Sequence, residues 1–212
     1  MNIEKTLENL RKNNMMAYFA ETKEEALDII KGLISKGDTV GVGGSVTLNE
    51  AGVLDLLRNG DYNFLDRYKE GLTREEITEI FRKCFFADAY FASSNAITEE
   101  GELYNVDGNS NRVSAMLFGP KSVIVVAGKN KIVENLKAAE KRVKTVAAPQ
   151  NAKRLSMKTY CSEKGLCVGT DGEKLCAGCE SNDRICANYT VMAHQRIKDR
   201  VKVIIVNENL GY

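Results

Sequence analysis

Residues 38–50, DTVGVGGSVTLNE, run from a short β-branched segment through paired glycines into a helical period. Asp38–Gly43 has the length and branching of a buried strand, and its terminal glycines signal a turn. A helix is predicted from about Thr47 to Arg58. Strand, tight turn and helix in succession are the repeating unit of an α/β sheet, so the neighbouring sequence should show the same alternation.

It does. Ile3, Leu7 and Leu10 share one helical stripe, and Thr22-Lys23-Glu24-Glu25 is a capping-box pattern ahead of Ala26, Ile29, Ile30, Leu33 and Ile34, with Gly37 as the stop. Thr73-Arg74-Glu75-Glu76 repeats the box, with Ile77, Ile80, Phe81 and Cys84 facing inward. Ala89–Ala92 reads as a strand, and Ala96–Thr98 with Glu102–Val106 as a hairpin closed at Glu100-Gly101. Lys121–Ala127, KSVIVVA, is the plainest central strand, Ile132–Val143 has helical period, and Val201–Val206 returns to the sheet. The expected fold is a mostly parallel open sheet with helices on both faces. After Pro149 the pattern breaks into polar, glycine-containing sequence. The chain therefore reads as one domain, 1–212, carrying a small cysteine-rich subregion at 159–188.

Thirty Lys and Arg balance 29 Asp and Glu, leaving no excess charge for a phosphate backbone or an anionic leaflet. Nucleic acid and membrane surfaces are excluded as first expectations, and no apolar run approaches the ~18 residues of a span. Without a signal peptide the expected compartment is the cytoplasm, where clustered cysteines bind metal or do redox chemistry more often than they form structural disulfides. Oligomeric state is left open.

In an open α/β sheet, ligands bind beyond the carboxyl ends of the strands. Gly43 and Gly44 let backbone approach an anion there, and Ser45 and Thr47 add hydroxyls. The loop is neither a Walker loop nor GxGxxG, since the spacing is wrong and no lysine follows. Its plainer reading is a strand-to-helix turn capped by Ser45. Residues 93–112, SSNAITEEGELYNVDGNSNR, supply few core-forming side chains and many hydrogen-bonding ones. Ser94, Asn95, Thr98, Asp107 and Asn111 are its candidate ligand contacts, and Arg112 the bidentate partner of a carboxylate or phosphate. Asp107 and Glu50 are conceivable acid–base groups, with a solvated surface role as the alternative. Lys131, after the KSVIVVA strand, offers a cation to the same rim or merely faces solvent from an ordinary loop.

Five of the six cysteines follow Pro149. Cys176 and Cys179 have the CxxC spacing that brings two thiolates to one ion, and Cys186 follows. Cys161, Cys176, Cys179 and Cys186 are the candidate metal set, with Cys167 as the alternative upstream ligand. The choices are an iron–sulfur cluster, Zn²⁺, or unmetallated thiols and disulfide chemistry. Cys84 reads as a small buried hydrophobe, and His194, the sole histidine, as structural or exposed. A Ser–His–Asp triad built around Ser45 is disfavoured.

Taken in order, GVGGSVT, SSNAITEEGELYNVDGNSNRV, FGPKSVIVVAGKNKIV and CAGCESNDRIC resemble the successive blocks of the LUD (lactate-utilisation) domain family, which includes LutC-like proteins. The resemblance covers nearly the whole chain. It implies a NagB/RpiA/CoA-transferase-like fold, shared with 5-formyltetrahydrofolate cyclo-ligase, and a role in oxidising lactate or a related hydroxy acid beside iron–sulfur partner proteins. Relatives on that fold bind sugar phosphates, acyl-CoA or folate plus ATP at the loops matching residues 43–47 and 93–112, and the ligand expected here is a small anionic metabolite. Whether the domain alone is an enzyme is left open. The chain departs from the family pattern at EKGLCVGTDGE, which looks inserted between Cys161 and Cys176 and brings in Cys167.

Overall fold

Alternation along a single strand explains how this chain builds two hydrophobic layers. In the computed structural model, which describes residues 1–172, 175 and 179–212, the strand Ser122–Gly128 sends Val123, Val125 and Ala127 to one side. Ile124 and Val126 go to the other. Val201–Val206 divides in the same way, and the two strands pair in parallel at the centre of the sheet.

The elements in chain order are α1 (Ile3–Lys12), β1 (Met16–Ala20), α2 (Lys23–Leu33), β2 (Thr39–Val42), α3 (Val46–Glu50), α4 (Val53–Asn59), β3 (Asn63–Leu65), α5 (Arg74–Lys83), β4 (Ala89–Ala92), β5 (Ala96–Thr98), β6 (Leu103–Asp107) and α6 (Asn111–Phe118). They continue with β7 (Ser122–Gly128), β8 (Ile132–Val133), α7 (Leu136–Arg142), α8 (Ala148–Arg154), α9 (Tyr160–Lys164), β9 (Asn188–Met192) and β10 (Val201–Val206). Six strands form a sheet in the order β1-β10-β7-β4-β2-β3, parallel at every pairing. A second sheet of four strands, β8-β5-β6-β9, is mixed in direction. Residues of α2, α3 and α4 cover one face of the large sheet. Its other face is shared by α1, α6 and side chains of the second sheet, among them Ile97, Leu103 and Met192. Helices therefore lie on both faces, but one face also carries a sheet. Among the described residues, no helix is long and apolar enough to cross a membrane.

Local chemistry sets the helix starts. Thr73 and Glu76 form the complete reciprocal box. At α2, Thr22 accepts from the Glu25 amide, but the Glu25 carboxylate takes the Glu21 amide instead of returning to Thr22. On the α5 stripe, Ile77, Ile80 and Phe81 are half-buried and Cys84 is buried in the short turn that follows.

Three expectations need correction. The helix from Thr47 to Arg58 is broken into α3 and α4, because Gly52 adopts φ 74°, a left-handed conformation that ends one helix before the next begins. Ile132 and Val133 do not open a helix; they pair with Ile97 and Thr98, and α7 starts only after Asn135 caps it. The helix expected to close at Val143 and the break expected after Pro149 both come later, since α7 and α8 are joined through a widened π turn at Val143–Ala147 and helix runs on to Arg154. A proline lacks the donor and crowds the carbonyl four residues back, here that of Thr145, and the wider turn makes room for it. The strands β1, β3 and β9 have no counterpart in the sequence reading.

Because Ile124 is fully buried between neighbouring strands and α-helical cover, Ile124→Ala is expected to destabilise the fold by about 2–5 kcal/mol. Urea unfolding checks it, with a lowered midpoint and an unchanged slope.

Candidate functional site

β7, β4 and β2 are neighbours in the sheet, and the chain leaving their carboxyl ends surrounds one cleft of about 220 Å³. Gly44, Ser45 and Thr47 come from beyond β2, Ser93, Ser94 and Asn95 from beyond β4, and Lys131 from the turn beyond β7. Asp107, Asn111 and Arg112 close the side formed by β6 and α6. Gly44 and Asn111, 67 positions apart in sequence, thus line the same cavity.

Arg112 is the buried tie of this region. One terminal nitrogen donates to the Ser93 carbonyl (3.0 Å) and Asn105 Oδ1 (2.6 Å), the other to Asn95 Oδ1 (3.1 Å) and the Val106 carbonyl (2.8 Å). Its Nε faces Asp107 Oδ2 at 3.5 Å. Burial pushes the guanidinium below its usual range, and Asp107 opposes that. The fork expected to grip a ligand is thus occupied by the protein itself. Gly43 belongs to the same arrangement: a Cβ there would lie 2.9 Å from Arg112 Cγ and 3.1 Å from the Tyr90 hydroxyl, so glycine is what lets Arg112 pass beneath the loop. Gly43 is not among the residues that line the cleft, and what the structure shows for it is this packing role.

Other candidates divide similarly. Asp107 accepts from the Ser110 and Val113 amides and so caps α6. Ser45 Oγ accepts from the Leu48 amide, which is the plain capping role. The Ser94 hydroxyl ties the carbonyls of Ala96 and Tyr104, while Asn95 Oδ1 also accepts from the Val106 amide. Thr98 lies away from the cleft: its hydroxyl accepts from the Glu102 amide and donates to the Glu102 carboxylate inside the hairpin. Glu50 accepts from the Gly211 amide.

Lys131 differs from all of these. It is 4% exposed, and its amine donates to Thr47 Oγ1 at 2.8 Å and Ser93 Oγ at 3.1 Å. Thr47 Oγ1 in turn donates to the Leu210 carbonyl. Burial first, then the cations of Arg142 and Arg112, bring the Lys131 ammonium down to about 7, with Glu50 opposing. Arg142 stands behind, donating to the carbonyls of Asn130 and Asn95.

Two cations on the rim escaped the sequence reading. Arg67 lies over the Phe81 ring at 4.5 Å and alongside Gly44. Arg154 bonds Asn151 and the hydroxyl of Tyr212, and all three line the cleft. Arg67 sits in a charged segment resembling ordinary surface, and Arg154 in the sequence after Pro149 where the α/β pattern breaks.

The cysteine segment packs beside the cleft. Cys161, Cys167, Cys179 and Cys186 line a second cavity of about 30 Å³. Arg184 holds the Cys179 and Cys186 carbonyls at 2.9 Å each. Burial pushes the Cys161 thiol up, while a hydrogen bond with Thr159 works the other way. Cys176 lies outside the described residues. Among those that are described, no three Cys, His, Asp or Glu groups are placed to hold a metal ion, and the cysteines in that set are free thiols. Cys84 is buried apart from them, its thiol pushed up to about 11 by burial. His194 is exposed, its ring next to the Asn14 amide.

The model of the LUD domain matches residues 3–206. The chain belongs to the LUD domain family. A DUF162 family protein from Deinococcus radiodurans, of known crystal structure, superposes on this LUD domain with a TM-score of 0.52 at 13% identity, over 97% of this chain and 96% of that one. That likeness shows a shared fold. The β subunit of eIF2B from Chaetomium thermophilum matches at a TM-score of 0.37 and 14% identity, over 54% of this chain and 44% of its own. No curated protein matches the sequence.

If Arg112 is an internal tie, Arg112→Met should leave Asp107 and two asparagine side chains without their cation and destabilise this LUD domain by roughly 3–5 kcal/mol. Thermal unfolding measures it; an arginine held in reserve for a ligand would leave the unliganded protein's stability nearly unchanged.

Proposed function

We propose that this LUD domain binds a small hydroxy acid of the lactate class and presents it for oxidation. The observation that carries the reading is the buried Lys131 amine, bracketed by two hydroxyls at the floor of a cleft whose rim holds Arg67 and Arg154. Guanidinium groups at a rim suit a carboxylate, and an amine with hydroxyl neighbours suits the α-hydroxyl. Asp107, the acidic side chain on the cleft wall, is already paired with Arg112 and so offers little repulsion. Oxidising such an acid releases two electrons and two protons, and the acceptor belongs to an iron–sulfur redox partner protein. The NagB/RpiA/CoA-transferase-like assignment is part of the same reading, supported by the family match and by the position of the cleft at the strand ends; a cytoplasmic location goes with it, and no helix among the described residues is long and apolar enough to cross a membrane.

Lactate, glycolate or phosphate at a hundredfold excess over its dissociation constant is expected to raise the melting temperature by roughly 5–10 °C. Lys131→Met should abolish the rise. Absence of any shift with all three anions would refute the reading.

A second reading makes the cysteine segment a metal-bearing electron-transfer or assembly module, with an iron–sulfur cluster or, alternatively, Zn²⁺. Its support is that four thiols line one cavity. As described, they do not meet as ligands, so a metal would have to draw them together or include Cys176. Protein purified under argon should then carry visible absorbance and acid-labile sulfide, or bound zinc. Metal-free protein whose stability survives Cys161→Ser with Cys186→Ser excludes the module.

A further inference from the structure

We infer that Lys131 is a nucleophilic amine that captures 2-oxo acids as an imine at the floor of the cleft. The inference rests on the hydroxy-acid reading of the same site and adds a covalent chemistry to it.

Placement is the first argument. Lys131 is fixed from both sides: the preceding Gly128 ends β7, and the following Ile132 pairs with Ile97. Two directions around its nitrogen are occupied, by Thr47 Oγ1 and Ser93 Oγ. No described residue takes the third, and Lys131 lines the cleft.

Charge is the second. An amine that serves only as a cation gains from carboxylates nearby. Here the largest charge effects on the amine come from Arg142 and Arg112, which favour the neutral form as burial does and outweigh the Glu50 carboxylate that opposes it. In that form two N–H bonds satisfy the hydroxyls and the lone pair is left for the open direction.

The step balances within the cleft. The nitrogen lone pair forms a C–N bond to the carbonyl carbon, and the carbonyl π pair moves to oxygen, which takes a proton. The nitrogen loses its proton, and the resulting carbinolamine releases water as C=N forms. Amine plus oxo acid gives imine plus water, with no oxidant or reductant consumed. Thr47 and Ser93, both within hydrogen-bond distance of the nitrogen, are placed to relay the proton. Arg67 and Arg154 on the rim would hold the carboxylate.

The test is trapping. The full chain is incubated with pyruvate or glyoxylate and sodium borohydride, followed by intact mass measurement and peptide mapping. A single reduced adduct on Lys131 is expected, with a yield that climbs as pH rises through about 7. Lys131→Arg should remove it, and Thr47→Val should slow its formation on the order of 10²-fold. A melting-temperature shift with pyruvate but no adduct overturns the imine and leaves the binding reading standing. Adducts distributed over exposed lysines such as Lys36 and Lys69 also overturn it. Neither shift nor adduct with pyruvate overturns the imine, and the binding reading falls with it only where lactate, glycolate and phosphate give no shift either.

Discussion

A guanidinium buried where three polypeptide segments meet imposes the constraint on which this site depends. Arg112 needs acceptors for a charged, planar group out of water, and it obtains them from Ser93, Asn95, Asn105 and Val106, with Asp107 balancing the charge. Burying such a group is tolerable only when its donors are satisfied. Satisfying them fixes the loop after β4 against the end of β6 and the start of α6. The polar sequence of residues 93–112 is thus mostly scaffolding, with its hydrogen bonds directed inward. What it frees for chemistry is the floor of the cleft, where Lys131 meets Thr47 and Ser93.

The same fixing creates an unusual electrostatic setting. Arg112 and Arg142 lie behind Lys131, and their task is to hold backbone carbonyls and asparagine side chains in place. Their charges act on the neighbouring amine all the same. An α/β sheet offers strand ends as a ready ligand position. Here the loops leaving three adjacent strands bring a buried lysine, its ammonium held down to about 7, and two hydroxyls to that position. The cysteine segment leans on the same wall: Ile185 lines both cavities, and the Ala187 amide donates to the Asp107 carbonyl.

Elements written by strong local patterns were legible. The capping signals at Thr22 and Thr73, the apolar run of β7 and the returning strand β10 follow directly from residue order. Elements defined by their partners were not. β1, MAYFA, is a strand because β10 lies beside it, and β9 is one because β6 does. Ile132 and Val133 fit a helical period yet pair with β5, since the ladder bonds made there outweigh a weak propensity.

The candidate site shows the same division. The glycine loop, the asparagine-rich segment and Lys131 were recognisable from residue type and position after strands, and the structure brings Gly44, Ser45, Thr47, Asn95, Asn111 and Lys131 to one cavity. Gly43 and Thr98 were recognisable as special but not for the reason they are special. Arg67 and Arg154 gave no clear signal. Residue order determined that this chain makes a parallel α/β sheet with polar loops at its strand ends, because strand, turn and cap preferences act over a few residues. Only the tertiary structure decided which polar groups face the cleft and which face each other, because a buried charge must find its partners wherever the fold places them, however far away in sequence they lie.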